Sequence, residues 1–378
     1  MNDFDEKLKR SLLEVRDAGR LGADERKAVA KERLMRRVHR RRWVGLGGSA
    51  VLAGAAAVGA FMLFSSYDGT QQLAPRPDVD AVRIPEPARA VVEVGQNPTH
   101  LSVGGRRYVW VANLGSQSVS RIDPKTNEEI AEVELPAEPG DIAIGKGPVW
   151  VALPELGAVA QIDPAGETVA GELVDIADGR PVEDVEMTVG AGALWVVVKG
   201  EHVERIDLES RVPTRIEVAS SPTDVAVRGE LVRVLDAEGR IHQLDSATGE
   251  PAAEPLTVAA AADGDITFAA GSIWFFSEDG DVIQRLDPDT GEVLGEIDPE
   301  GVVVDFVIDP EVSWVLTRSG AETADAEYFL TPIDRDSTEP AGDSIQIDGN
   351  PTEALIAGRS LWLSLTREDL VLRFSKYR

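Results

Sequence analysis

Six carboxylates and one histidine stand at matching places in seven repeated stretches of the chain, each about nine residues before a tryptophan or its substitute. They are His100, Asp141, Glu186, Asp224, Asp265, Asp305 and Glu353. Carboxylate oxygens with one imidazole form a donor set that suits Ca²⁺ or Mg²⁺ better than a thiophilic metal. If the side chains converge, mutual repulsion would raise some carboxylate pKa values or recruit a cation. The set is a candidate site for a metal ion or a basic ligand.

A structural role for the same residues stays open beside the metal site. Several of them follow a Pro-Thr or Pro-Gly pair, as His100 follows Pro98-Thr99 and Asp141 follows Pro139-Gly140. An aspartate that opens a strand after such a turn can accept hydrogen bonds from nearby backbone N–H groups. A wide, wet channel would also dilute the repulsion.

The tryptophans indicate which elements position this set. Six of the seven tryptophans recur about every 40 residues: Trp110, Trp150, Trp195, Trp274, Trp314 and Trp362. A seventh copy, Leu231 to Val234, has Val232 where the tryptophan is expected. A repeat of this length with four short strands is typical of a β-propeller. The sequence therefore predicts an all-β, seven-bladed propeller with tryptophans packed between blades and the charged set at the mouth of the central channel.

Two further patterns support seven blades. An Ile-Asp or Leu-Asp pair ends the third strand of six repeats and precedes residues suited to tight turns. The aspartates of these pairs are Asp123, Asp163, Asp207, Asp245, Asp287 and Asp334. The chain ends in a third strand, whereas Ala90 to Val94 reads like an unattached fourth strand. We expect that segment to complete the last blade and close the ring.

The segments Tyr108–Asn113 (YVWVAN) and Ser118–Pro124 (SVSRIDP) resemble the YVTN-repeat β-propeller family, which is itself similar to the streptogramin (virginiamycin B) lyase group. The resemblance covers residues 90–378. It implies a seven-bladed ring, often with an extracytoplasmic site, in a family whose activities differ widely. Lyase activity would require clustered His and Glu on the channel face with a divalent ion. Here His100, His202 and His242 stand at non-equivalent repeat positions, and no Ser-His-Asp, phosphate-loop or HExxH pattern occurs.

A different composition precedes the propeller. Residues 44–64 carry no charge and are long enough to span a bilayer as a helix. Five arginines lie within residues 36–42, and Trp43 and Tyr67 flank the apolar run. By the positive-inside rule this order places the N-terminus in the cytosol. The predicted domains are a helical cytosolic stub (1–42), a transmembrane helix (43–66), an extracytoplasmic linker (67–89) and the propeller (90–378), which makes a single-pass cell-membrane protein.

Charge and cysteine content limit the function. Residues 1–42 hold 14 Lys/Arg and 8 Asp/Glu out of 38 and 66 in the chain, so the remainder carries about −34. Such a field repels nucleic acid and attracts cations and basic surfaces. The absence of cysteine excludes disulfides and thiolate chemistry. The sequence favours a monomeric, non-catalytic binding or sensing module for a protein, peptide, glycan or cation. The alternatives are a divalent-cation-dependent lyase or hydrolase at the channel mouth, and a membrane regulator whose stub binds a cytosolic factor.

Overall fold

The structure is a computed structural model that describes residues 88–375 apart from nine short loop segments. The gaps are 105–106, 146, 164–167, 219–220, 259–263, 278–281, 309–312, 321–325 and 335–337. The predicted stub, transmembrane helix and nearly all of the linker lie outside the described residues. Within the described part, no helix is long and apolar enough to cross a membrane.

In the described residues, twenty-eight strands form seven four-stranded antiparallel sheets, the blades of a propeller. The innermost strands of blades one to seven are β2 (Pro98–Gly104), β6 (Ile142–Ile144), β10 (Val185–Gly190), β14 (Pro222–Arg228), β18 (Gly264–Ala269), β22 (Val302–Val307) and β26 (Pro351–Ala357). The second strands are β3 (Tyr108–Asn113), β7 (Val149–Leu153), β11 (Ala193–Val198), β15 (Leu231–Asp236), β19 (Ser272–Ser277), β23 (Ser313–Ser319) and β27 (Ser360–Leu365).

The outer half of each blade completes the sheet. The third strands are β4 (Ser118–Asp123), β8 (Ala158–Ile162), β12 (His202–Asp207), β16 (Arg240–Asp245), β20 (Ile283–Leu286), β24 (Glu327–Ile333) and β28 (Leu370–Ser375). The outermost strands are β5 (Glu128–Glu134), β9 (Val174–Asp175), β13 (Pro213–Ile216), β17 (Pro251–Thr257), β21 (Val293–Ile297), β25 (Ile345–Ile347) and, for blade seven, β1 (Ala88–Glu93). A short 3₁₀ turn, Pro154–Leu156, joins β7 to β8. The all-β, seven-bladed prediction is confirmed.

Closure of the ring occurs in blade seven, whose outermost strand comes from the beginning of the propeller. β1 pairs antiparallel with β28, with Val92 opposite Val371 and Glu93 opposite Leu370. This pairing confirms the predicted closing segment; the strand begins two residues before Ala90 and ends at Glu93, one residue before Val94. Because the two ends of the propeller share one sheet, β28 has no exposed edge along this pairing.

Each blade interface has its own hydrophobic core. Seven clusters of buried side chains lie between successive blades, and six of them contain the repeated tryptophan of one blade packed against the next. An aromatic ring buries about 150–250 Å², which is worth about 4–6 kcal/mol at ~25 cal/mol per Å². The remaining cluster lies between blades four and five and relies on Phe275 instead. The expected packing of the tryptophans is confirmed.

The register of blade four corrects one prediction. In blades one, three, five and seven the tryptophan lies opposite an arginine of the third strand, as Trp195 lies opposite Arg205. In blade four Arg233 lies opposite Gln243, whereas Val232 lies opposite Leu244 and so matches Leu194. Arg233, not Val232, therefore occupies the tryptophan position. The assignment to Val232 was wrong because one residue of shift along a strand exchanges the two faces of the sheet.

Arginines connect the outer part of blades three, four and seven to the next blade. Arg205 and Arg373 stack on the tryptophans of their own blades and donate to Ser246 O (3.0 Å) and Pro124 O (2.6 Å) in the following blade. Buried Arg233 donates to Pro288 O (3.4 Å), which follows the turn aspartate of blade five. The arginine of blade four thus makes the same kind of inter-blade contact from the second strand. Blade four keeps the connection although it lacks the tryptophan.

The Ile-Asp pairs have the predicted role where the turn is described. The carboxylates of Asp207, Asp245 and Asp287 accept hydrogen bonds from N–H groups two and three residues ahead. These bonds lower the pKa of each aspartate. The pairs are turn-forming residues.

Candidate functional site

The seven predicted site residues occupy equivalent places at the start of the inner strands. Six of them stand opposite the residue two positions after the tryptophan site, as His100 does opposite Ala112 and Glu353 opposite Ser364. Asp141 directly precedes β6, and its carbonyl accepts the Ala152 N–H at 2.9 Å. Because the inner strands contact each other at six of the seven blade interfaces, and β22 contacts β19 at the seventh, the seven positions form one ring. We call these residues the ring residues.

Asp224 shows what a ring carboxylate does. One oxygen accepts the N–H of Val225, its own neighbour, at 2.7 Å, and the other accepts the N–H of Ile266 at 2.7 Å. Ile266 follows the ring residue Asp265 on the inner strand of the next blade. Asp224 is only 8% exposed, so water does not compete strongly for these bonds. The side chain therefore joins blade four to blade five. We call a ring carboxylate that accepts a backbone N–H of the next blade a clasp.

The same clasp recurs around the ring. Asp141 accepts the N–H groups of Ile142 (2.6 Å) and Met187 (2.7 Å), which joins blade two to blade three. Asp305 accepts those of Phe306 and Ala354, both at 2.7 Å, which joins blade six to blade seven. The longer side chain of Glu353 accepts the Leu101 N–H at 3.0 Å and joins blade seven to blade one.

The remaining ring residues interact with charged partners or are placed by register. His100 Nδ1 lies 3.3 Å from Glu353 Oε2. Glu186 lies 2.6 Å from the ammonium of Lys199, which also lies 3.3 Å from Asp184. Asp265 faces Phe276 across the sheet and so occupies the seventh place of the ring.

Burial and mutual charge shift the ring pKa values. Burial, then the charge of Glu186, raises the pKa of Asp141 and of Asp224 to about 7. Burial, then the charge of Glu353, raises the pKa of Asp305 to about 7. Burial lowers the pKa of His100, but the hydrogen bond and charge of Glu353 outweigh it and raise that pKa to about 9. Charges of other ring residues therefore contribute to these pKa shifts, and burial is the larger cause for the three aspartates.

Whether the ring residues can bind a metal ion depends on how many of their oxygens already accept hydrogen bonds in the clasps. Ca²⁺ requires six to eight oxygen ligands within about 2.6 Å, and oxygens that already accept backbone hydrogen bonds are less available for it. Among the described residues, no group of three or more His, Cys, Asp or Glu side chains is arranged to hold a metal ion. The metal role of the ring residues stays a prediction. Their role as inter-blade acceptors is what the geometry displays.

The other two histidines of the propeller do not occupy ring positions of the repeat. His202 opens β12, and its Nε2 lies 3.0 Å from Ile176 O and 3.3 Å from Glu204 Oε1. His242 lies within β16, 2.7 Å from the buried carboxylate of Asp236. They stand opposite different positions of the second strand, Val198 and Val234. The two histidines have different partners and lie at different positions of the repeat, so the expectation of non-equivalent positions is confirmed.

A pocket that the sequence does not predict opens between blades six and seven. Its volume is about 300 Å³, and its walls come from β24, the β25–β26 connection and the β27–β28 turn. Lys199 was also missed. The lysine stands four residues after Trp195, and this basic residue beside the ring position of its blade was the available sequence signal. The pocket combines three distant segments, which no local pattern reveals.

No family model matches the chain, and no curated protein sequence matches it. Solved structures do. Virginiamycin B lyase from Staphylococcus aureus is 15% identical with a TM-score of 0.62, over 76% of this chain and 99% of that one. A streptogramin B lyase is 14% identical (TM-score 0.61; 76% and 98% covered), and the computationally designed protein Ika8 is 13% identical (0.53; 75% and 98%). At these identities the likeness establishes the seven-bladed fold alone.

Proposed function

We propose that this protein is a non-catalytic binding module. The observation that carries the proposal is the use of the ring carboxylates: four of them accept backbone N–H groups of the next blade. A general base or metal ligand must offer a free lone pair to substrate or metal, whereas these oxygens hold the scaffold together. The propeller then serves as a rigid ring that presents its surface to a partner.

The charge of the chain favours a basic partner. About −34 charges lie outside residues 1–42, and a field of that sign attracts cationic proteins and peptides and accelerates their association at low salt. We place a protein, peptide or glycan carrying basic groups ahead of a neutral ligand. Nucleic acid is repelled by the same field.

We further propose that residues 43–66 anchor the propeller in the cell membrane with the N-terminus in the cytosol. The uncharged run 44–64 and the preceding arginines support this orientation. A reporter enzyme fused after Arg378 should be active only in an extracytoplasmic compartment. Activity of the fusion in the cytosol would overturn the topology.

A divalent-cation-dependent lyase is the second candidate, favoured by the fold shared with virginiamycin B lyase. One assay distinguishes the lyase from the binding module. The full-length protein in detergent micelles is incubated with virginiamycin B and Mg²⁺, with the Staphylococcus aureus enzyme as a positive control, and the compound is followed by mass spectrometry. The binding-module proposal expects no turnover. Turnover that disappears in the His100→Ala variant would establish the lyase.

A further inference from the structure

The pocket between blades six and seven opens on the same face of the propeller as the ring. Asn350 in its wall directly precedes β26, which carries the ring residue Glu353 two residues into the strand. Arg367 and Glu368 lie in the turn that joins β27 to β28 at the same end of the blade. A partner that covers this face of the propeller would therefore meet the pocket.

The pocket walls are held in place before any ligand binds. The hydroxyl of buried Tyr328 donates to Asn350 Oδ1 at 3.0 Å, and the Thr366 N–H donates to Asn350 O at 3.0 Å. Gly349 has a φ of 122°, in the region that side-chain-bearing residues avoid, so the connection can turn tightly there. Preformed walls reduce the ordering cost of binding.

The charges of the pocket favour a cation. Its lining has three carboxylates, Glu327, Asp348 and Glu368, against the single guanidinium of Arg367. Glu368 Oε2 accepts the Asn350 N–H at 3.1 Å, yet burial outweighs this bond and raises the pKa of Glu368. A positive group in the pocket would compensate this partly buried carboxylate. The amides of Gln346 and Asn350 add polar atoms around it.

We propose that this pocket receives a basic side chain, a guanidinium or ammonium group, from a protein or peptide bound to the face of the propeller on which the pocket opens. The inference rests on the proposed function as a binding module and names its ligand class. A volume of about 300 Å³ is at the lower end of small-ligand pockets and suits one side chain. Charge-assisted hydrogen bonds to carboxylates supply affinity, and a guanidinium can make two in parallel.

The test uses the full-length protein in detergent micelles and a Gly-Gly-Arg-Gly-Gly amide, titrated by saturation-transfer NMR. The same peptide with citrulline in place of arginine controls for shape and for adsorption to micelles. We expect the arginine peptide to bind more tightly than the citrulline peptide. Glu368→Gln should weaken binding of the arginine peptide about tenfold, because a hydrogen bond between charged groups becomes one to a neutral amide.

Two more variants distinguish an effect of the pocket on binding from an effect of the overall charge or of misfolding. Glu254→Gln removes one exposed carboxylate from β17 in another blade and should leave the affinity unchanged. Arg367→Gln removes the competing cation and should tighten binding several-fold, which a misfolded protein cannot do. Equal affinity of the Glu368→Gln and Glu254→Gln variants, equal binding of both peptides, or no binding of the arginine peptide would overturn the pocket proposal. None of these results depends on turnover of virginiamycin B. Failure of the pocket proposal can therefore be distinguished from failure of the binding-module proposal, which turnover would show.

Discussion

An aspartate side chain is short enough to bond the N–H of its own neighbour and still reach a second N–H across a blade interface. Asp141, Asp224 and Asp305 do both, with all six donor–acceptor distances between 2.6 and 2.7 Å. The cost is that charge is buried among like charges, which raises the pKa of each to about 7. Burial of these charges therefore lowers stability at neutral pH, but it provides directed hydrogen bonds between blades.

These shifts predict how stability depends on pH. An aspartate whose pKa rises from 3.8 to about 7 on folding holds its proton more tightly in the folded state, so stability increases as pH falls from about 7 towards 4. His100 contributes stability that is complete below pH 6.5 and is lost as pH rises through about 9. Both effects predict a higher melting temperature at pH 6 than at pH 9.

The variant His100→Gln isolates the histidine part of this dependence. Its amide cannot take up a proton, so the melting temperature should fall less between pH 6.5 and 9 than it does in the unaltered protein. Calorimetric melts at several pH values measure both curves. Identical pH dependence in the two proteins would show that the His100–Glu353 pair does not contribute.

At the scale of elements, blades three and seven are each joined to the next blade by a tryptophan, an arginine and the turn of that next blade. Blade four departs from this pattern, with Arg233 in the tryptophan position and Gln243 in the arginine position. Arg233 is 4% exposed, and burial lowers its pKa. The exchange keeps one guanidinium at this interface but loses an indole ring.

A double-mutant cycle tests whether the two positions act as a unit. Gln243→Arg alone should destabilise the fold, because two guanidiniums would then face each other across β15 and β16. In the Arg233→Trp background the same change should cost little, since the new arginine can stack on the ring. We expect a coupling of about 1–2 kcal/mol, measured by urea unfolding of the four proteins. Strictly additive effects would contradict a coupled pair.

Removal of the closing strand should cost more than its length suggests. A propeller that begins at Gln96 lacks β1, which contributes the buried Val92 and covers the edge of β28. Compared with a propeller that begins at Pro85, we expect a lower melting temperature and aggregation through the exposed edge. Thermal melts with light scattering compare the two. Equal melting temperatures would refute closure by strand pairing.

Repeats made some features predictable and hid others. Recurring tryptophans, Ile-Asp pairs and the phase of the two ends predicted seven blades, the closing segment and the ring positions, because each depends on residues that the sequence displays at fixed spacing. The sequence pattern placed Val232 at the tryptophan position, and only the strand pairing shows that Arg233 occupies it. The clasps could not be predicted, since the donors at Met187, Ile266 and Ala354 are backbone N–H groups that belong to every residue type.

At the scale of the whole molecule, the ring and the seven interface cores form one closed structure. Each clasp bonds a blade to its successor next to a hydrophobic cluster that packs the same two blades. Directed bonds at the axis fix the spacing of the blades, and apolar burial farther out supplies most of the stability. A closed scaffold of this kind keeps surface sites such as the pocket of blades six and seven in fixed positions.

The clasp is tested most directly by thermal melts of Asp224→Ala with and without millimolar Mg²⁺. Loss of the carboxylate leaves the buried N–H groups of Val225 and Ile266 without their acceptor, at about 1–3 kcal/mol each. Asp245→Ala is the matched control, because it removes exposed turn bonds that water can replace.

The account predicts a large fall in melting temperature for Asp224→Ala, a small one for Asp245→Ala, and no effect of Mg²⁺ on any of the proteins. A bound ion would instead stabilise the unaltered protein by about 2.7 kcal/mol at a hundredfold excess over its Kd. A rise in melting temperature with Mg²⁺ that disappears in Asp224→Ala would contradict the clasp and establish the ring as a metal site.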